Sequence, residues 1–167
     1  MQYNAEFYAG VGGGYQNESF IEHSEAENAP VYGSIKFGYG DRRAYGVEFV
    51  LNYIDNKSNI FSKNDEARYG MDVMFVKAFD WWQYLYPYFR AGVGAGEMNV
   101  DRELESKIAY SSYNLGVGGY VPLGKSFELE LNYEYRFTSY GAIDYLYEKL
   151  QLQSHVNQLY FGVNYRF

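Results

Sequence analysis

Cysteine is absent from the 167-residue chain, so the sequence contains no disulfide and no cysteine-based nucleophile or metal site. Proline occurs only three times, and no segment approaches the ~18 consecutive apolar residues that a transmembrane helix requires. Basic residues number 14 against 21 acidic ones, and they form no basic face that would bind a nucleic acid. These absences exclude a disulfide-rich scaffold, a helical membrane protein and a nucleic-acid-binding protein.

Aromatic residues, by contrast, are abundant. The chain holds 21 Tyr and 12 Phe, far above ordinary globular usage, although its mean hydropathy is only -0.43. Such rings are typical of membrane interfaces, where the ring contacts lipid and the hydroxyl contacts water. The composition therefore favours a membrane protein that is not helical.

The apolar residues are spaced at every second position. In the final segment Leu159, Phe161, Val163, Tyr165 and Phe167 form one face, while the intervening residues are Tyr, Gly, Asn and Arg. A strand with such a face needs a backbone partner and an apolar medium, and a closed barrel in a membrane supplies both. The alternation predicts eight strands, at residues 7–16, 31–40, 45–53, 68–75, 88–96, 113–121, 127–137 and 159–167.

The connections between these strands alternate in length. Short turns are predicted at residues 41–43, 80–84 and 122–125, and long polar loops at residues 17–29, 55–66, 97–108 and 139–153. Short turns at one end and long loops at the other are typical of an outer-membrane barrel. We therefore predict an all-β fold in a single domain over residues 1–167, an eight-stranded antiparallel up-and-down transmembrane β-barrel.

The alternative is a soluble lipocalin-like barrel with the apolar face turned inward. The interior of an eight-stranded barrel is only just wide enough for side chains to fill, and the bulky apolar residues are too many to fit there. The opposite face is rich in Gly and in charged residues of both signs, which suits a narrow lumen. The apolar face is therefore predicted to contact lipid.

The polar face carries charged residues that this orientation places in the lumen. An unpaired ion there would cost several kcal/mol, so we expect these groups to pair. Two interpretations remain open, a static polar plug, which we favour, and a gate in which ion pairs exchange partners and let small ions pass. The predicted lumen set has five cations and five anions: Lys36, Glu48, Arg68, Asp72, Arg90, Glu128, Glu130, Glu134, Arg136 and Arg166.

Acidic residues are also concentrated in the first and third predicted loops. A cationic partner or Ca²⁺ is one interpretation, but the fixed spacing of a calcium loop is absent. We predict solvated loops with no metal site and no cofactor. The residues concerned are Glu18, Glu22, Glu25 and Glu27 in the first loop, and Glu97, Asp101, Glu103 and Glu105, with Arg102 and Lys107, in the third.

Several motifs resemble the outer-membrane β-barrel domain family, which includes the opacity-type proteins and the transmembrane domain of outer membrane protein A. They are FYAGVGGGY, YGVEFVLNY, YPYFRAGVGAG, LGVGGYVPLG and LELNYEYRF, followed by the final YFGVNYRF, and the resemblance covers about residues 7–167. It implies a location in the outer membrane of a Gram-negative bacterium. It implies no single activity, because members are adhesins, structural anchors, small channels and occasional enzymes.

The C-terminal segment also resembles the signal that the barrel-assembly machinery reads. Gly162, Tyr165 and Phe167 match its positions, whereas Tyr160 stands where a polar residue is usual. The resemblance therefore implies the assembly machinery as a partner, reached through the last strand.

The two histidines are the residues that an enzymatic interpretation would use. His23 lies in the first loop, and His155 follows Ser154 near the last strand. The lipid A deacylases, which are similar barrels, place a Ser two residues after the His, but this chain has Asn157 there. Adjacent strand residues also point to opposite faces, so Ser154 and His155 should not meet. We predict that the protein is not an enzyme, with lipid A modification as the alternative.

Trp81 and Trp82 lie in a predicted short turn. A ligand-stacking cluster is the alternative, but Trp concentrates at membrane boundaries, so we interpret both residues as interfacial anchors.

The expected role is a monomeric barrel that anchors and displays surface loops for structural or adhesive purposes. Outer-membrane lipid and lipopolysaccharide are the expected contacts, with a host or matrix ligand at the loops. A small ion channel with a charged, gated lumen is the principal alternative.

Overall fold

The computed structural model describes residues 3–21, 27–28, 31–54, 68–99, 107–141, 143–145, 148–150 and 153–167. These residues form β-strands and turns. The strands are β1 (Glu6–Phe20), β2 (Glu27–Asn28), β3 (Val31–Gly40), β4 (Tyr45–Ile54), β5 (Arg68–Ala78), β6 (Tyr86–Asn99), β7 (Lys107–Leu123), β8 (Phe127–Tyr140), β9 (Ile143–Tyr145), β10 (Glu148–Leu150) and β11 (Gln153–Arg166).

Eight long strands among these close a barrel. They pair antiparallel in the order β1, β3, β4, β5, β6, β7, β8 and β11, and β11 then pairs with β1. At this closing seam Val11 lies opposite Val163, while Ile35 of β3 flanks Val11 on its other side. The predicted eight-stranded antiparallel up-and-down barrel is confirmed. No helix among the described residues is long and apolar enough to cross a membrane.

The two ends of the barrel differ in their connections. Short turns at residues 41–44, 79–85 and 124–126 lie at one end, where β1 also begins and β11 ends. There the backbone N–H of Phe167 donates to the carbonyl of Phe7 at 2.9 Å. At the other end, β2 pairs with the top of β1, and β9 and β10 form a small hairpin inside the fourth predicted loop. The second predicted loop, residues 55–66, lies outside the described residues.

Several strands are longer than the alternation predicted. Residues 17–20, 97–99 and 107–108 lie in strands rather than in loops, β11 begins at residue 153, and Pro122 and Leu123 belong to β7 rather than to a turn. The extensions are paired with neighbouring strands, as Glu18 is with Val156. The prediction ended each strand where the apolar residues end. The ladder of backbone hydrogen bonds continues beyond that point, because pairing satisfies the backbone whatever the side chains are.

The two faces of the wall point as predicted. Large apolar side chains of alternate residues lie on the outside, where Phe7 is 66% exposed and Leu115 is 62% exposed. Residues of the opposite parity are buried or partly buried, and Glu48 and Glu128 are completely buried. The lipocalin-like alternative is therefore wrong, because this barrel has its apolar stripe outside and its charges inside.

Candidate functional site

The charged residues inside the barrel form the candidate site. All ten residues of the predicted lumen set are buried. Alternation along each strand turns them inward from six strands: Lys36 on β3, Glu48 on β4, Arg68 and Asp72 on β5, Arg90 on β6, Glu128, Glu130, Glu134 and Arg136 on β8, and Arg166 on β11.

The centre of the lumen holds two cations between three carboxylates. Arg90 donates to Glu134 from Nε at 2.8 Å, and its Nη2 lies 2.6 Å from the same carboxylate. Its Nη1 lies 3.3 Å from Glu48 and 3.7 Å from Glu130. Lys36 contacts Glu130 and lies 3.4 Å from Glu48. Arg90 thus reaches across the lumen from β6 to both β4 and β8.

Tyrosine hydroxyls supply further donors to the same carboxylates. Tyr8 donates to Glu48 at 2.6 Å, and Tyr120 donates to the same oxygen at 3.2 Å. Tyr88 donates to Glu130 at 2.5 Å. The aromatic content of the sequence predicts rings at the membrane interfaces, whereas these three rings lie inside the barrel. Their even-numbered positions, shared with the lumen charges, were the signal that distinguishes them.

At the end with the short turns, Arg166 and Glu128 form a bidentate ion pair. Arg166 Nε lies 2.9 Å from one Glu128 oxygen, and Nη2 lies 3.2 Å from the other. Nη1 of Arg166 donates to the carbonyl of Gly40 at 3.0 Å. Asn164 donates to Glu128 at 3.1 Å and to Glu130 at 3.0 Å, which links this pair to the central cluster.

Towards the other end, the chain of contacts continues through Arg136. This guanidinium lies 3.2 Å from Glu134 and 2.6 Å from Asp72, which also accepts a bond of 2.6 Å from Asn52. An unbroken series of ion pairs and hydrogen bonds therefore leads from Arg166 to Asn52 along the lumen.

A separate cluster closes the far end of the lumen around Glu18. Arg68 lies 2.8 Å from Glu18, Ser154 donates to it at 2.7 Å, and Tyr140 donates to it as well. The prediction of Glu18 as a solvated loop residue is wrong, because β1 continues past the apolar band and keeps its even-numbered residues inside. The same parity, followed beyond Gln16, would have identified it.

Glu18 also changes the charge of the interior. With Glu18, the described lumen residues comprise five cations and six carboxylates. The ten predicted residues balance in charge, whereas these eleven have one carboxylate in excess. Every one of these eleven groups has an oppositely charged partner within 4.0 Å. Buried ions held this way are costly to separate, because removing one partner leaves the other unpaired in a low-dielectric interior.

The residues considered for catalysis do not come together. Ser154 points into the lumen to Glu18, whereas His155 lies on the outside, where its Nδ1 contacts the hydroxyl of Tyr135. Asn157 accepts a bond of 2.7 Å from Tyr133 on the same outer surface. His23 lies outside the described residues.

The residues predicted as an assembly signal occupy both faces of β11. Gly162 is inside, packed under the ring of Tyr160, where a Cβ would overlap that ring. Tyr165 and Phe167 are outside, with ring centroids 5.1 Å apart. Their role as a signal stays a prediction.

Trp81 and Trp82 lie in the turn between β5 and β6, exposed by 83% and 59%. Trp82 packs edge-on against Tyr84, with ring centroids 5.5 Å apart. Their role as interfacial anchors also stays a prediction.

Most of the acidic residues of the first and third predicted loops lie outside the described residues. Glu18, Glu27 and Glu97 lie in strands, and the side chains of Glu27 and of the other acidic loop residues lie outside the described part of the structure. Within the described part of the chain, no group of three or more His, Asp or Glu side chains is arranged to hold a metal ion.

Comparison with known proteins agrees with this architecture. The family model described as "Outer membrane protein beta-barrel domain" matches residues 1–167. Neisserial surface protein A has a similar structure, with a TM-score of 0.71, 17% identity, and coverage of 98% of this chain and 99% of that one. No curated protein matches the sequence.

Two further solved structures share the fold. The attachment invasion locus protein of Yersinia pestis has a TM-score of 0.59 at 16% identity, covering 98% of this chain and 99% of that one. The N-terminal β-barrel domain of Pseudomonas aeruginosa OprF has a TM-score of 0.52 at 12% identity, covering 98% and 100%.

Proposed function

Because this chain belongs to the family of outer membrane protein β-barrel domains and is located in the outer membrane, we propose that it is a single-domain, non-enzymatic anchor that displays surface loops for structural or adhesive roles. In this proposal the protein acts as a monomer, and the barrel-assembly machinery recognises it through β11.

The filled interior is the observation that carries this proposal. Buried ion pairs and hydrogen bonds run from Arg166 to Asn52, and the Glu18 cluster lies beyond them. A lumen occupied in this way is a structural plug, which leaves the loops as the part of the protein that meets its surroundings.

A small channel is the second candidate, and one feature favours it. Arg90 lies within 4.0 Å of three carboxylates, Glu48, Glu130 and Glu134, and Lys36 is shared between two of them. Ions with several available partners can exchange them without becoming unpaired, and such an exchange would open a path.

Planar-bilayer recording separates these two candidates. We expect the refolded protein to give no discrete conductance steps, because the lumen is filled along its length. Glu134→Gln, which weakens the contacts of both Arg90 and Arg136, should also remain closed. Stepwise openings in the unmodified protein, altered in amplitude or frequency by this substitution, would instead establish the channel.

Lipid A modification is the weaker alternative. Ser154 and His155 point to opposite faces of β11, and Ser154 is engaged by Glu18 inside the lumen. A hydrolase needs its nucleophile and base within hydrogen-bond reach, so this placement supports a non-enzymatic role.

Shortening a loop tests the display of surface segments. Replacing residues 56–66 with a short Gly-Ser linker should leave the unfolding midpoint of the barrel unchanged, because the described ladder between β4 and β5 runs from Tyr45 and Lys77 to Ile54 and Arg68. Adhesion of bacteria carrying the protein to immobilised extracellular matrix should fall. If the shortened and complete proteins adhere equally well, this loop has no adhesive role.

A further inference from the structure

The lipid-facing surface contains a hollow near the end with the short turns. We refer to it as the β5–β7 groove, a cavity of about 780 Å³ whose lining includes Arg43, Lys77, Phe79, Trp81, Phe89 and Val117. A second hollow of about 400 Å³ lies along the same strands and shares Lys77, Phe89 and Val117 with the first. Together they form one depression that extends from the turn up the outer wall.

The register of the sheet explains the depression. Ala91 of β6 lies between Phe75 of β5 and Leu115 of β7, so a small side chain is flanked by two large ones. One step nearer the turn, Phe89 lies between Lys77 and Val117. The depression at Ala91 lies over one β-strand, between the larger side chains of the two neighbouring strands. Such a narrow trough suits an extended hydrocarbon chain.

The mouth of the groove is positively charged. Lys77 is the one cation among the described outward-facing strand residues in this half of the barrel, and its ammonium lies 3.9 Å from the ring centroid of Tyr45. Arg43 lines the same cavity from the neighbouring turn. A lysine on a lipid-facing surface is tolerated near the interface, where its ammonium can reach the phosphate region of the bilayer.

We propose that the β5–β7 groove binds a phospholipid with an anionic headgroup from the periplasmic leaflet. In outer-membrane barrels the short turns face the periplasm, so the groove opens to that leaflet. Phe89, Val117 and Ala91 contact an acyl chain, and Lys77 with Arg43 holds the headgroup phosphate. An anionic headgroup is favoured over a zwitterionic one, because the cation of a zwitterionic headgroup competes with Lys77 and Arg43 for the phosphate.

Two acidic residues lie near the mouth, and they differ in effect. Asp41 is buried and accepts bonds of 2.9 Å from the backbone N–H groups of Asn4 and Arg43, besides lying 3.6 Å from Nε of Arg43. Asp80 is exposed and lines the groove itself. Asp80 therefore opposes the attraction of an anionic headgroup, and its removal should strengthen binding.

Tryptophan fluorescence reports directly on this site, because the chain has only two Trp and Trp81 lines the groove. The experiment uses Trp82→Phe as the parent, reconstituted in phosphatidylcholine vesicles that contain brominated phosphatidylglycerol or, separately, brominated phosphatidylcholine. Quenching at increasing mole fraction gives the relative affinity of the two lipids at Trp81. We expect the parent to prefer phosphatidylglycerol about fivefold, the effect of one well-placed cation.

Three substitutions make the proposal falsifiable. Lys77→Gln should bring the preference close to one, and Asp80→Asn should raise it above that of the parent. Lys125→Gln removes a cation from another turn at the same end, outside the groove, and should leave the preference unchanged. Equal quenching by both lipids in the parent, or equal losses for the Lys77 and Lys125 variants, would overturn the site in favour of unselective contact with the bilayer. Protection of Trp81 from both lipids would overturn it in favour of a second protein copy in the groove.

Discussion

Replacing Arg90 with Met is expected to lower the free energy of unfolding by about 3–5 kcal/mol, the usual cost of breaking a buried ion pair from one side. Arg90 is buried between Glu48, Glu130 and Glu134, with its closest contact at 2.6 Å. Met replaces the apolar stem of the Arg side chain but not its guanidinium group, so the loss includes the three carboxylates left short of a cation. Equilibrium urea unfolding in phospholipid vesicles, followed by circular dichroism, measures it.

Two comparisons establish that the loss comes from unpaired charge. Arg43→Met removes a partly exposed cation 3.6 Å from Asp41 and should cost less than about 1 kcal/mol. Adding Glu134→Gln to Arg90→Met removes one of the stranded carboxylates and should restore part of the lost stability, a coupling that independent sites would not show. If Arg90→Met lowers the free energy of unfolding no more than Arg43→Met does, the buried ion pairs do not stabilise the barrel.

Gly14→Ala is expected to destabilise the barrel by about 3 kcal/mol, or to prevent refolding, because the new methyl group would overpack the wall. A Cβ at Gly14 would overlap the backbone carbonyl oxygen of Leu159 on β11 and lie 3.2 Å from Cα of Tyr160. These are main-chain atoms that cannot rotate away as a side chain can. The substitution would therefore force β1 and β11 apart at the closing seam. Refolding yield and the midpoint of urea unfolding measure the effect.

Gly33→Ala is the matched control for this prediction. Gly33 lies on the adjacent strand, and a Cβ there would meet only the carbonyl oxygen of Gly12, at an ordinary 3.8 Å. The substitution should change stability by less than about 0.5 kcal/mol. Equal losses at Gly14 and Gly33 would mean that glycine is needed for backbone freedom and not for close strand approach.

The strands could be predicted from the sequence because the two faces of each barrel strand lie in different environments. Lipid on one side and a polar lumen on the other impose the period of two, so the face that carries Phe7, Leu115 and Phe161 was recognisable without coordinates. The ends of the strands were harder to predict. Beyond the apolar band both faces are polar, and the alternation that marked the strand disappears although pairing continues, as it does at Glu18.

The pairing within the lumen could not be predicted, because it depends on which residues meet across the barrel. Arg90 of β6 contacts Glu48 of β4 and Glu134 of β8. Neither β4 nor β8 is hydrogen-bonded to β6, which pairs with β5 and β7. The composition of the lumen set indicated that its members would pair. The choice of partners depends on the stagger of the closed sheet, which the alternation does not contain. The β5–β7 groove is hidden from the sequence for the same reason, since it depends on the register of Ala91.

The seam between β1 and β11 also bears on how the chain folds. Tyr8 is paired with Arg166, so the contact that closes the ring joins positions almost a full chain length apart. Adjacent hairpins can form early from local contacts, whereas this last ladder must wait for the slowest, most entropically costly encounter. Until then, two unpaired edges remain open to other polypeptides, so the period before ring closure is when the nascent protein is most prone to aggregate.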